Sequence, residues 1–525
     1  MKIKHFKAIA AAAAVLLLFT GCAQIRYPEK PAAVIAPEKD KTREPAREAV
    51  TNKYKQKKYD LIKKEYYSEY TPDSPRLIEK GDSFSFEVEL ITAQHYRIGI
   101  RALTTDADSS GNGAAVALST AGETFGAYYT DNFYEYETFF MDYIYLPGGK
   151  TELTFTALRG AVKIESVSAE NSKAVSGERY KTVPKLCALE PSLSAACVFD
   201  YLAACFGDRV LTGQYCTVNT DAEIEAVSDA TGRKPAVRCG DLANYSYGYG
   251  GADKDENKEI ELAEEWSEKG GIVFFTWSWY APDESGRYYA DKNGFSLENA
   301  VTETNVSRMG AEELSEAVET GKIPVSCALL IRDVDDMAAT LARLAQKDIP
   351  VLWQPVPDGG SRLYWWGASG GENYVWLWRL LFERMTYYHG LDNLIWVWSG
   401  GGYEYYPGDG YVDIIGEIAY APSGGVRGSE AVRFGYTEDY GSPAGTATAK
   451  KPAAVSESGG PPAVDAFARD NARWLFWSLY RGDYVIDENG AVLEEIKDGL
   501  DRFYNHELTV CLDELPDVRR FGITN

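Results

Sequence analysis

From about residue 61 to 172 the chain alternates apolar and polar positions with a period of two. The runs are "FSFEVELI", "YRIGIRAL", "AAVALST", "DYIYLPGG", "TELTFTAL" and "AVKIESVSA", with Gly, Asp and Asn at the breaks. A strand with one buried and one wet face reads this way, so the spacing predicts an antiparallel β-sandwich. After a polar joint at 173–185 the texture changes. Short continuous apolar runs now recur: "RVLTGQ", "KPAVRCGDL", "GIVFFTWSW", "IPVLWQPV", "LIWVWS", "YVDIIGEIAY", "KPAAVSES" and "ARWLFWSL". Between them stand segments of helical period such as "DAEIEAVSDATG", "ENKEIELAEEWSEKG", "DVDDMAATLARLAQKD" and "ENYVWLWRLLFERMTYYHG". Continuous runs suit strands buried on both faces, and eight of them alternating with helices over 186–525 predict a (β/α)8 TIM barrel. Such barrels carry their chemistry at the C-terminal ends of the strands.

The first 60 residues follow neither pattern. "MKIKHFKAIAAAAAVLLLFTGCAQ" has lysines, an apolar run from Ala8 to Phe19 and small residues before Cys22. This is a secretory signal too short to span a bilayer. Its "FTGC" end resembles a bacterial lipobox, which implies a signal over 1–22, lipid attachment at Cys22, and anchorage of the chain to a membrane at the bacterial cell surface. Residues 23–60 are rich in Pro, Lys and Glu and poor in aromatics, so they are expected to form a disordered tether.

Composition narrows the function. A formal charge of -24 repels phosphate backbones, and no basic patch follows the N-terminal 60 residues, so a nucleic-acid partner is excluded. Aromatics make up 13% of the chain, with 36 Tyr and 12 Trp, and their flat apolar faces with polar edges suit stacking on sugar rings as well as core packing. The cysteines after Cys22 are Cys187, Cys197, Cys205, Cys216, Cys239, Cys327 and Cys511. They show no C-x-x-C pair and are odd in number, so buried free thiols are expected rather than a zinc site or a complete disulfide framework. No metal or other cofactor is called for.

The predicted strand tips carry Asp241 after the second strand, Asp358 after the fourth and Glu457 after the seventh. Asp358 and Glu457 would then face each other across the barrel mouth. Two carboxyls about 5–5.5 Å apart suit retaining glycoside hydrolysis, with one as acid/base and the other as nucleophile.

Five segments in order carry a resemblance: "VLTGQY", "GGIVFFTWSWYAP", "WWGASGGENYVWLWRLLFERMTYYHGLDNLIWVWS", "YYPGDGYVDIIG" and "KPAAVSESG". Over roughly 186–525 the chain resembles glycoside hydrolase family 26, the family of β-mannanases and a few related β-glycanases. The resemblance implies Glu457 as nucleophile and Asp358 at the acid/base position, where the family's R-P-x-H-E aligns with "QPVPD". It also implies sugar contacts at Trp277, Gln354, Trp365, Trp366, Tyr420 and Trp477, and a β-mannan or related plant β-glycan as partner.

Departures from the family cluster in the site. Gln354 stands for Arg, Pro357 for His, Asp358 for Glu, Ser278 for His and Ile418 for Asp. Asp is one methylene shorter than Glu, which withdraws the carboxyl by ~1.5 Å, and a displacement of about 1 Å already costs ~10²-fold in rate. Two readings stand: a cell-surface retaining hydrolase with weakened catalysis, or a glycan-binding protein on a hydrolase scaffold. Glu372 in "GENY" is expected to be a helix N-terminal acid, and Asp409 a turn residue. The sandwich resembles carbohydrate-binding modules of the families 6 and 35 type through "YIYLPGGKTELTFTALRGAVKIESVSAEN". Tyr128, Tyr129, Phe133, Tyr134 and Tyr136 are its candidate sugar platform.

Overall fold

The structure is a computed structural model. It describes residues 67–523 apart from 71, 73, 91, 107–112, 121–122, 131, 173–176, 250–255, 284, 293, 421–450, 463, 465–466 and 468–472. The signal, Cys22 and the 23–60 tether therefore lie outside the described residues.

Nine antiparallel strands build the N-terminal region: β1 (Tyr67–Tyr70), β2 (Arg76–Glu79), β3 (Ser83–Leu90), β4 (Gln94–Asp106), β5 (Ala114–Thr120), β6 (Glu123–Thr130), β7 (Glu137–Leu146), β8 (Gly149–Arg159) and β9 (Ala161–Asn171). One sheet runs β9–β4–β7 with β1 and β2 both paired to β9, and the other runs β3–β8–β5–β6. The alternation seen in the sequence is the cause of this layering. Tyr96, Ile98, Ile100 and Ala102 of β4 point into the core with Leu153, Phe155 and Ala157 of β8. On β9 the buried positions switch from Val162 and Ile164 to Val167 and Ala169, and the β4–β9 register shifts between Arg101 and Ala102. A bulge exchanges the faces of a strand in this way. The candidate aromatic platform is divided between the end of β6 and the turn before β7, where Asn132 accepts from the amides of Tyr134 and Glu135.

The C-terminal region is a closed barrel of eight parallel strands: β10 (Val210–Tyr215), β11 (Val237–Asp241), β12 (Ile272–Trp277), β13 (Val351–Pro355), β14 (Leu394–Trp398), β15 (Ile414–Ala419), β16 (Ala453–Ser458) and β17 (Phe476–Leu479). Closure is made by β10, which pairs with both β11 and β17, while the short β18 (Thr509–Val510) extends the start of β10. Phe274 of β12 meets Tyr215 of β10 and Phe476 of β17, strands that are not its neighbours, so these rings fill the barrel interior. The alternate residues Val273, Phe275 and Trp277 pack outward with Leu330, Val334 and Met337 of helix Val325–Ala345. Both faces are thus buried, which explains the unbroken apolar runs. Helix Val325–Ala345 starts earlier than the pattern from Asp333 suggested. Its first turns join a satellite cluster with Val306, Leu314 and Leu380, so they lack an amphipathic stripe. No described helix is long and apolar enough to cross a membrane.

Candidate active site

The carboxyl of Glu457 sits at an irregularity. The β15–β16 register shifts between Glu417 and Ile418, and the β16–β17 register shifts between Val455 and Ser458. Breaks of this kind re-aim a side chain at the rim of a barrel. Glu457 Oε1 accepts a short hydrogen bond from the hydroxyl of Tyr420, which directly follows β15. Tyr420 in turn contacts Tyr480 and Tyr484, and Tyr480 contacts Tyr215, so tyrosines fence the carboxylate. Burial pushes the Glu457 carboxyl up to about 7; Asp241 and Asp358 add to the rise, while the Tyr420 bond and Arg481 oppose it.

Asp358 stands three residues past β13. Burial pushes its carboxyl up to about 6 against a single opposing influence, the hydroxyl of Ser361. Its charge is felt at Glu457, and both charges are felt at the phenol of Tyr364. The Tyr364 phenol thus lies within electrostatic reach of both carboxylates.

A third acid, Asp241, ends β11. Its Oδ1 accepts from the amides of Ala243 at 3.0 Å and Ser278 at 3.1 Å, and its Oδ2 lies 3.4 Å from a guanidinium nitrogen of Arg481. Donors thus occupy both oxygens. Ser278 serves here through its backbone N–H. Arg481 also lies over the Tyr480 ring, at 5.4 Å. The sequence reading named Asp241 but missed Arg481, which has no motif and acquires meaning only when β17 closes the barrel beside β10 and β11.

Five residues expected to touch sugar are buried. Trp277, Trp366 and Trp477 are 0% exposed and Trp365 is 1% exposed. Their indole N–H groups are spent inside the protein, on Ser246 Oγ, Pro357 O, Gly460 O and Trp279 O respectively. Gln354 is likewise 0% exposed, with neither amide atom hydrogen-bonded. The physical reason is barrel closure, which turns the tips of these runs toward packed helices and the barrel interior.

Tyrosines supply the open faces instead. Tyr289, 37% exposed, stacks on Tyr364 at 5.6 Å, and Tyr364 stacks on Trp366 at 4.6 Å. Tyr288 continues this wall to Tyr280 and Tyr249. These tyrosines were also missed by the sequence reading; the "RYYA" and "LYWWG" doublets were the available signal. Glu372 does lie in the first turn of helix Gly371–Glu383, and Asp409 accepts from the Tyr406 hydroxyl in a short 3-10 turn. In the sandwich, Tyr128 is buried, whereas Phe133 and Tyr134 are exposed and Tyr136 is half-buried under Arg101. The side chain of Tyr129 lies outside the described residues. Among the described residues no group of three or more His, Cys, Asp and Glu could hold a metal ion, and the cysteines after Cys22 carry free thiols.

Residues 188–514 match the sequence profile of glycosyl hydrolase family 26. Among curated relatives, a mannan endo-1,4-β-mannosidase of Thermothelomyces thermophilus is 30% identical over 332 residues, covering 61% of this chain and 61% of that protein. Mannan endo-1,4-β-mannosidase B of Piromyces sp. is 26% identical over 388 residues, covering 71% of this chain and 61% of that protein. The chain thus spans 61% of the length of each of these relatives. Among solved structures, the Podospora anserina GH26-CBM35 β-(1,4)-mannanase aligns with a TM-score of 0.56 at 23% identity, over 86% of this chain and 99% of that one. A ruminal GH26 endo-β-1,4-mannanase aligns with a TM-score of 0.56 at 22% identity, over 87% and 94%. At that identity the structural likeness speaks to the fold, and the profile match, which covers more than half of the chain, speaks to the family. The chain belongs to glycosyl hydrolase family 26.

Proposed function

We propose that the chain is a retaining glycoside hydrolase that cleaves β-1,4-linked mannan or a related plant β-glycan, with Glu457 as nucleophile and Asp358 as acid/base. The observation that carries this reading is the pair of carboxyls on Asp358, just past β13, and Glu457 near the end of β16, both raised by burial, with Asp358 adding to the rise at Glu457. Glu457, held by Tyr420, attacks the anomeric carbon while Asp358 gives its proton to the leaving oxygen; Asp358 then takes a proton from the water that releases the sugar. Asp241 is left out of the catalytic pair, because two amides and Arg481 already engage its oxygens. The names of the curated relatives support a mannan substrate. In the same reading Cys22 is lipidated and anchors the chain at the cell surface, and the sandwich is a carbohydrate-binding module.

A second reading, glycan binding with impaired catalysis, is favoured by the short acid at 358 and by the neutral Gln354 in place of an arginine. One experiment separates the two. Mannohexaose and an activated aryl β-mannobioside are incubated with the wild type, Glu457→Ala and Asp358→Ala. A hydrolase cleaves both substrates, loses both with Glu457→Ala, and with Asp358→Ala loses mannohexaose far more than the aryl substrate, whose leaving group needs no proton. Wild type that binds mannohexaose and leaves both substrates intact supports the binding protein. Cys22→Ser should release the protein to the medium, and unchanged membrane retention would count against the anchor.

A further inference from the structure

The turn that presents Asp358 is held in a conformation that its own sequence opposes. Val356 has φ 46° and Asp358 has φ 53°, both in the left-handed region, with Arg362 at 59° close behind. A β-branched residue is a genuine outlier there. Pro357 between the two lacks an N–H and so cannot help to pin the turn through a donor of its own. Strain of this kind persists only where the surroundings over-determine it.

Those surroundings can be accounted for atom by atom. The Val356 N–H donates to Trp277 O at 3.2 Å, and the Asp358 N–H donates to Ser399 O at 2.8 Å. The Val356 carbonyl accepts from the Tyr374 hydroxyl at 2.9 Å, and the Pro357 carbonyl accepts from the Trp366 indole at 2.7 Å. The Asp358 carbonyl accepts from the Ser361 amide and hydroxyl. Every backbone polar group of residues 356–358 is therefore paired. Sterics close the clamp: a Cβ on Gly359 would stand 2.5 Å from the Tyr374 ring, and one on Gly367 would stand 2.0 Å from Gly359 O. Tyr374 and Trp366 are both 0% exposed, so neither can touch a substrate.

We propose that the Tyr374 hydroxyl and the Trp366 indole are positioning residues for the acid, holding the Val356-Pro357-Asp358 turn in its left-handed form so that the carboxyl points at the cleft. The proposal rests on the reading of Asp358 as acid/base. Loss of either donor lets the turn relax and carries the carboxyl away from the leaving oxygen, while Glu457 on the far side of the cleft is untouched.

The test uses the full chain with Tyr374→Phe, which keeps the ring against Gly359 and deletes only the hydroxyl, and with Trp366→Phe as an independent second variant. Mannohexaose and 2,4-dinitrophenyl β-mannobioside are compared by kcat/KM. Each variant is expected to lose about tenfold or more on mannohexaose and less than about threefold on the aryl substrate, since only the first needs the proton. The acidic limb of the mannohexaose pH profile, which follows the lower carboxyl Asp358, should also move, which a merely loosened core would not cause. Equal losses on both substrates, or no loss in either variant, overturn the positioning role while leaving the hydrolase reading intact. A wild type inert to both substrates overturns the hydrolase reading, and the positioning role falls with it.

Discussion

The hydroxyl of Tyr420, one residue past β15, donates to Oε1 of Glu457 on the adjacent strand β16. The proposed nucleophile is thereby steadied by a donor from its neighbouring strand, and that bond is one of the two influences pulling the raised Glu457 carboxyl back down. Tyr420→Phe should lower kcat/KM by roughly 10²-fold, as loss of a single preorganised donor does elsewhere. It should also move the alkaline limb of the pH profile to higher pH, because Glu457, the higher of the two carboxyls, then ionises later. A rate loss with an unmoved limb would show that Tyr420 acts on the sugar rather than on Glu457.

On the proposed reading the two carboxyls set the pH range of activity. Retaining hydrolysis needs Glu457 ionised and Asp358 protonated, one proton for the pair. With Asp358 pushed up to about 6 and Glu457 to about 7, the singly protonated pair is most abundant between those values. The kcat/KM profile on mannohexaose should be a bell with its maximum there, falling on the acid side as both gain protons and on the alkaline side as both lose them. With Glu457 above Asp358, the productive form is the minority of the singly protonated pair.

The same shift predicts a stabilising substitution. The folded Glu457 carboxyl lies above its ordinary 4.5, so the folded state holds this proton more tightly than the unfolded chain does. That contribution is complete below about pH 4.5 and is lost as pH rises through about 7. Glu457→Gln, which can still accept from Tyr420, should therefore melt a few degrees above the wild type at pH 8, on a scale of about 2–4 °C per kcal/mol. The difference should vanish near pH 4, and cleavage should be abolished throughout. An equal gain at both pH values would assign the effect to packing.

Burial separates the tryptophans from the tyrosines. Trp477→Ala opens a cavity in the barrel core and should cost about 3–5 kcal/mol, read as a large fall in melting temperature, with the affinity of the remaining folded protein for mannohexaose little changed. Tyr289→Ala removes an exposed ring stacked on Tyr364, and should weaken mannohexaose binding by about 1 kcal/mol with little change in melting. The opposite pattern, measured by calorimetry and thermal denaturation, would return the sugar contact to Trp477.

Local pattern by itself determined that alternating residues form sandwich strands, that unbroken apolar runs form eight barrel strands, and that Asp241, Asp358 and Glu457 lie at or just beyond three of their C-terminal ends. Those outcomes depend on neighbours in sequence and on the periods of strand and helix, which a chain carries with it. Which face of a barrel strand a tryptophan takes was decided only by tertiary structure, because a strand buried on both sides has no polar face to mark its orientation. Barrel closure turned Trp277 toward a helix and brought Arg481 to Asp241 across 240 residues of sequence. The left-handed turn at Val356 and Asp358 was equally illegible, since nothing in "VPDGG" asks for it. It exists because Tyr374 and Trp366, on later segments, satisfy the carbonyls that the turn exposes.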